Sequence, residues 1–219
     1  MGAVAEISVP EAARRLVQGE LVAFPTETSW GLAADATSER GVAALLRWKG
    51  RASGQPLSVL VEGAGSLAGL GIELAPDAAR LAVRFWPGPL TLVCPLGSST
   101  SPRFASGVVS ERESLGVRCS PHPDATALAA EMAGLGAGPV TATSLNRSGQ
   151  AAVASREEAR SLCGGIGDPA LLQGDECGGG PPSSVVDCSV RPPRILREAA
   201  IPRSQIESAL VPRSTAQAS

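Results

Sequence analysis

The chain has 219 residues, 43% hydrophobic and 18% charged, with a formal net charge of −2. That suits one globular domain with a full core, and its mild acidity argues against the basic face that broad nucleic-acid binding needs. Three Phe, three Trp and no Tyr offer few platforms for stacking single-stranded bases, and no stretch approaches the ~20 apolar residues of a membrane span.

In chain order, VPEAARRLVQGE (9–20) has proline at a helix start, apolar spacing at Ala13, Leu16 and Val17, and a closing Gly19. LVAFP (21–25) reads as a short buried strand ended by proline, and SERGVAALLRWK (38–49) as a helix with a serine N-cap. PLSVLVE (56–62) is a strand, PDAARLAVRFWPG (76–88) a helix stopped by Pro87, and PLTLVCPL the strand after it. SLGVRCS (114–120) is a strand, HPDATALAAEMAGLGAG a helix, and PVTATS (139–144) a strand. SREEARSLCGG (155–165) is a capped helix with Glu157 and Glu158 in its first turn. Two late strands, SSVVDCSV and RILRE, follow a Gly/Pro loop, GDECGGGPP. No helical crossover separates 90–96 from 114–118, so the chain is α/β with mixed connections. One domain over 1–203 with a disordered tail over 204–219 is expected.

The N-terminus lacks the basic start and apolar run of a secretory signal, and Glu6 breaks the myristoylation pattern. Cysteines at 94, 119, 163, 177 and 188 make no CxxC pair, and with one histidine they give no zinc pattern. They read as reduced thiols of a cytoplasmic protein. His122, between two prolines, reads as a turn residue, and no Walker A, GxGxxG, HExxH or Ser-His-Asp pattern is present.

Polar residues gather just after strands, where open α/β sheets place ligands. FPTETSWGL offers Thr26 and Thr28, as an ordinary turn or as ligand contacts. KGR sets Lys49 and Arg51 just past a helix end, where the dipole or an anion would account for them. TSLNRSG adds Ser144, Asn146 and Ser148, PPSSVVD adds Ser183 and Ser184, and Arg118 and Arg197 sit in strand-like runs. Together they suggest a pocket for phosphate and carboxylate. Lys49 is the only lysine beside 18 arginines, which hints at a task needing a compact ammonium.

FPTETSWGL, KGRASGQPLSVLV, FWPGPLTLV, LGVRCSPHP, TSLNRSG and PPSSVVD…RILRE resemble, in order, the motifs of the YrdC/Sua5 family. Those are the threonylcarbamoyl-AMP synthases of tRNA modification. The resemblance runs from about residue 7 to 201 and corresponds to the short, single-domain form. It implies a twisted mixed α/β fold of the YrdC-like type, helices packed around the sheet, and a deep positively charged cavity. It also implies a nucleotidyltransferase that condenses L-threonine, bicarbonate and ATP, with Mg2+ carried by ATP, into threonylcarbamoyl-AMP and pyrophosphate. Partner transferases would use the product for t6A, so tRNA would be met only indirectly, with no membrane. By the same resemblance, Thr28, Arg118 and Ser183 hold threonine; Lys49, Arg51, Gln55, Ser114, Ser144, Asn146 and Arg197 hold ATP, Lys49 and Arg51 acting catalytically on its phosphates.

The chain departs from the family at Trp30, Leu145, Leu60, Ser184 and Glu198. Trp30 and Leu145 are expected to reshape the amino-acid side of the pocket. They keep open a paralogue acting on another carbamoyl-adenylate or in carbamoyl transfer; a non-catalytic nucleotide- or RNA-binding module is the third reading. The glycine loop 174–180 is expected to close over the site.

Overall fold

The computed structural model describes residues 4–50, 56–97 and 102–211. Its first half runs β1 (Glu6–Ile7), α1 (Val9–Val17), β2 (Val22–Phe24), β3 (Gly31–Ala33), α2 (Glu39–Lys49), β4 (Ser58–Leu60), α3 (Pro76–Phe85) and β5 (Leu90–Pro95). The second half runs β6 (Ser114–Arg118), α4 (Pro123–Gly134), β7 (Thr141–Ser144), α5 (Arg156–Ser161), β8 (Ala170–Leu172), β9 (Ser184–Asp187), β10 (Arg194–Arg197) and α6 (Arg203–Leu210).

Helix boundaries follow local chemistry. The Ser38 side chain accepts the Gly41 amide at 3.1 Å to start α2, and Gly50, at φ 61°, ends it in the left-handed conformation. Ser155 and Glu158 form a reciprocal capping box on α5. The His122 ring accepts the Asp124 amide at 3.3 Å, so the lone histidine caps α4. Because Nδ1 accepts there, Nε2 carries the proton and donates to Glu176 O at 3.2 Å.

The strands form one mixed sheet in the order β1-β8-β2-β3-β7-β4-β6-β5-β9-β10. β5 and β6 are antiparallel, β5 and β9 parallel, so the expected mixed α/β sheet is present. The pleat sends alternate residues to opposite faces. Ala23, Leu32, Val59, Leu92, Val117 and Val186 point to the larger core, shared with residues of α2, α3, α5 and α6. Val22, Phe24, Ala33, Leu60, Val140 and Leu172 point the other way, under α1 and α4.

Two differences from the sequence expectation have plain causes. β3 and β8 are three residues each, too short to display a period of two, and owe their strand state to neighbours on both sides. Second, the expected tail from 204 is helical through Leu210, with Ile206 fully buried against the larger core. In RSQIESAL only Ile206 is fully buried, with Ala209 and Leu210 half-buried against the same core, a stripe of little more than one turn that is too short to stand out in the sequence. Regular structure therefore continues past 203, while residues 212–219 lie outside the described residues.

All five cysteines are free thiols. Burial pushes Cys94, Cys163 and Cys188 up to about 12, which suppresses the thiolate. Among the described residues no helix is long and apolar enough to cross a membrane.

Replacing Ile206 by alanine should lower unfolding free energy by about 2–4 kcal/mol, as for a buried aliphatic truncation, in a cooperative denaturant transition. An unchanged midpoint would return α6 to the status of a tail.

Candidate functional site

Over β4, β6 and β5 the face beneath α1 and α4 continues with small or polar side chains. Ser58, Gly116 and Val93 occupy one register row; Leu60, Arg118, Thr91 and Val185 occupy the next. A Cβ on Gly116 would approach Ser58 Cβ at 3.1 Å, so glycine keeps this floor low. β10 adds a bulge between Ile195 and Arg197, which sets Arg197, in place of Leu196, opposite Val185. That extra residue turns Arg197 toward the same face as Arg118.

Arg118 is 9% exposed and lies within a polar network. Its Nη2 donates to Glu27 Oε1 at 2.7 Å and to Thr28 Oγ1 at 2.8 Å. Glu27 Oε2 accepts from the buried Ser120 hydroxyl. Thr26 donates its proton to Ser29 O at 2.7 Å, so in its 3.1 Å contact with Thr28 the donor is Thr28. One lone pair of Thr28 then remains for a ligand donor. Beside this network, and not bonded to it, Ser183 meets Thr91, 2.9 Å between hydroxyls, and Arg197, which donates to Ser183 O at 2.9 Å and Oγ at 3.2 Å; Thr91 is the cross-strand neighbour of Arg118. Partial burial, and then the like charge of Arg118, pull the Arg197 guanidinium below its ordinary value.

A second cluster sits at the end of β7. Lys49 is the last residue of α2 and only 5% exposed, inside the helix rather than just past it. Its ammonium donates to Ser144 O at 2.6 Å, Asn146 O at 3.0 Å and Asn146 Oδ1 at 3.1 Å. Among the described residues, three acceptors converge on this one nitrogen, which suits an ammonium better than a planar guanidinium. The Asn146 side chain is fully engaged: Oδ1 also accepts from Ser144 Oγ, and Nδ2 donates to Arg147 O and Gln150 O. Arg147 stacks on Trp48 at 4.1 Å and donates to Trp48 O, holding the loop against α2.

Thr28 with Arg118, and Ser183 with Arg197, therefore form two adjoining networks of one cluster, and Lys49, Ser144 and Asn146 form the other; Arg197, expected with the ATP residues, stands beside the expected threonine residues instead. Extending the sheet register places Ser114 in the row of Ser144. From there Arg118 is four residues on, roughly 13 Å along the strand. Ser114 itself is buried, with its hydroxyl 2.7 Å from that of Ser110. Arg51 and Gln55 lie outside the described residues. Two surface grooves, one lined by Arg80, Arg84 and Gln205, the other by Arg191, Arg194 and Glu207, contain no candidate residue.

Three further findings adjust the sequence reading. Glu27, the charged partner of Arg118, was not singled out, although it stands between the two threonines of the FPTETSWGL motif. Trp30 and Leu145 are both fully buried in the larger core, on the face opposite the site, with the Leu145 amide donating to Trp30 O at 2.8 Å. Strand alternation turns them away from the pocket they were expected to reshape. The loop 174–180 is tied down, by Asp175 N to Asp124 at 2.9 Å, Cys177 Sγ to Ala154 O at 2.7 Å and Gly178 N to Thr26 O at 3.0 Å.

Fold and site together define a class: a mixed α/β protein that gathers cations and hydroxyls on one sheet face. The family described as Telomere recombination, the Sua5/YciO/YrdC family, matches residues 14–199. Threonylcarbamoyl-AMP synthase of Pyrococcus abyssi is 35% identical over 94% of this chain and 58% of its own length. A putative threonylcarbamoyl-AMP synthase of Mycobacterium tuberculosis is 34% identical, over 88% of this chain and 84% of that protein. The crystal structure of P. abyssi Sua5 complexed with L-threonine aligns with a TM-score of 0.79 at 34% identity, over 92% of this chain and 56% of that one. E. coli YciO, at 21% identity and a TM-score of 0.73 over 87% of this chain and 88% of its own, shares the fold. The chain belongs to the Sua5/YciO/YrdC family, and it spans 58% and 57% of the length of the Pyrococcus and Bacillus subtilis relatives.

Lys49→Arg keeps the charge but cannot serve three converging oxygens; it should lower unfolding free energy by about 1–3 kcal/mol. Stability equal to the parent's in a denaturant titration would disprove the triple-acceptor account of the lone lysine.

Proposed function

We propose that this chain is an L-threonylcarbamoyl-adenylate synthase. The observation that carries the reading is the pair of adjoining networks on one sheet face, Arg118 with Thr28 and Arg197 with Ser183, together with the Lys49, Ser144 and Asn146 cluster at the end of β7. It is supported by relatives named for that activity and by a family structure complexed with L-threonine.

In the reaction, the threonine amine and bicarbonate form N-carboxy-threonine and water. A carbamate oxygen then attacks the α-phosphorus of ATP, and the bond to the bridging oxygen breaks as pyrophosphate leaves. Magnesium enters with ATP as part of the substrate; among the described residues no group of three His, Cys, Asp or Glu is placed to hold a metal. Arg118 would take the threonine carboxylate, with Thr28 and Ser183 beside it. Lys49 would shape the Ser144–Asn146 loop on the nucleotide side, and with Arg51 and Arg197 offset the charge that develops on the phosphates. Gln55 and Ser114 would face the nucleotide. The product would pass to transferases that place the threonylcarbamoyl group on tRNA, so this chain would meet tRNA only indirectly, in the cytoplasm.

The paralogue reading rested on Trp30 and Leu145, and both face the core. The site reads instead as one for a small amino acid and a nucleotide.

Purified protein given ATP, magnesium and bicarbonate should release pyrophosphate only when L-threonine is added, and more slowly with serine or alanine. Arg118→Gln should lower the threonine-dependent rate roughly 100-fold or more, as expected when a buried charged contact is lost, while ATP still binds. Release without any amino acid, or none with threonine present in a folded, ATP-binding protein, would refute the assignment.

A further inference from the structure

The ion pair between Arg118 and Glu27 is the most enclosed charged contact of the site face, with side chains only 11% and 17% exposed. Its geometry is asymmetric. Both hydrogens of Arg118 Nη2 are engaged, one by Glu27 and one by Thr28. Arg118 Nε is buried with no hydrogen-bond partner among the described residues, an arrangement that costs free energy unless something else accepts from it. One end of the guanidinium is pinned by the protein, and the Nε side is left unsatisfied.

Glu27 is itself held from two directions. The Ser120 hydroxyl donates to its second oxygen. Its backbone is overlaid by the loop at Gly178, where a Cβ would come within 2.1 Å of Glu27 O, and the Gly178 amide donates to Thr26 O at 3.0 Å. A carboxylate fixed at both its backbone and its far oxygen gives the arginine a fixed reference. It also offsets one of the two positive charges, Arg118 and Arg197, that approach each other here.

We propose that Glu27 is a positioning residue for amino-acid binding: it clamps Nη2 of Arg118, so that the remaining donors of the guanidinium are presented to the substrate carboxylate. The idea rests on the function proposed above, in which Arg118 receives that carboxylate. Glu27 touches no substrate atom. Both bidentate edges of a guanidinium include Nη2, whose hydrogens are taken here, so the role of Glu27 is to aim the single donors that remain, Nε–H above all, at a carboxylate oxygen. A positioning role also separates the two ligands, because Glu27 has no contact with Lys49, Ser144 or Asn146 among its hydrogen bonds.

The test is calorimetric binding of L-threonine and of ATP to the full chain and to Glu27→Gln, with thermal unfolding of each. Threonine affinity should fall roughly tenfold or more, the factor associated with losing one charged hydrogen bond, while ATP affinity changes less than about twofold. Glu27→Asp, which keeps the charge on a shorter arm, should recover part of the loss. Unchanged threonine affinity would overturn the proposal. So would equal weakening of both ligands together with a lowered melting temperature, since that marks a purely structural residue. If Glu27→Gln does not yield folded protein, Ser120→Ala removes one anchor of Glu27 and keeps the ion pair; it should weaken threonine binding selectively, and an unaltered value would count against us.

Should the parent protein bind ATP but no amino acid, the proposed function fails and positioning is read without a ligand. The guanidinium NH resonances of Arg118, assigned with Arg118→Lys, should then be resolved in the parent and broadened in Glu27→Gln. Identical resonances in the two would refute the clamp on its own terms.

Discussion

Removing a cation from water is the constraint around which this structure is organised. Lys49 and Arg118 are 5% and 9% exposed, and neither could be held there without oxygens already in place. For Lys49 these include three oxygens of the β7 loop; for Arg118 they are a carboxylate and a hydroxyl of the loop after β2. Each cation therefore dictates the shape of a loop. Segments with no regular structure become defined because a charge underneath them must be solvated by protein.

The sheet makes this possible by dividing its faces unequally. One face is apolar along its whole width and carries four helices; the other is apolar only where α1 and α4 lie on it. Beyond those helices the same alternation delivers Ser58, Gly116, Thr91 and Arg118 to a surface without a helical cover. The bulge in β10 then adds Arg197 to that surface. A single register thus determines both the core and the site, and a slip of one residue would exchange them.

Much of this was legible in the chain. PLTLVCPL, a short apolar run after a proline-stopped helix, reads as a strand, and the Ser38 and Ser155 caps announce their helices. The grouping of Thr28, Arg118 and Ser183 could be inferred from resemblance, and the fold brings them to adjoining networks; it adds Arg197, which the resemblance had placed with ATP. What could not be read is informative for physical reasons. Glu27 looks like any surface glutamate until strand β6 brings Arg118 to it from 91 residues away. Trp30 and Leu145 adjoin motif residues in sequence, yet the pleat sends neighbours to opposite faces, so adjacency to a motif was the wrong guide. α6 contributes one fully buried side chain and two half-buried ones within little more than a turn, which is too short a pattern to read.

The lone lysine shows how the two levels meet. A chain with 18 arginines has a cation suited to flat, forked acceptors and would use it wherever geometry allowed. At the end of α2 geometry does not allow it, because Ser144 O, Asn146 O and Asn146 Oδ1 surround a point rather than line a plane. Arginine serves at Arg118 and Arg197, where the partners are a carboxylate and paired serine oxygens. The two kinds of cation are thus assigned by the shape of the oxygen set each must satisfy. Such an arrangement holds charge in fixed positions, which is what the proposed reaction, with its departing anion, would require. The only histidine is meanwhile committed to capping α4, with both ring nitrogens already bonded.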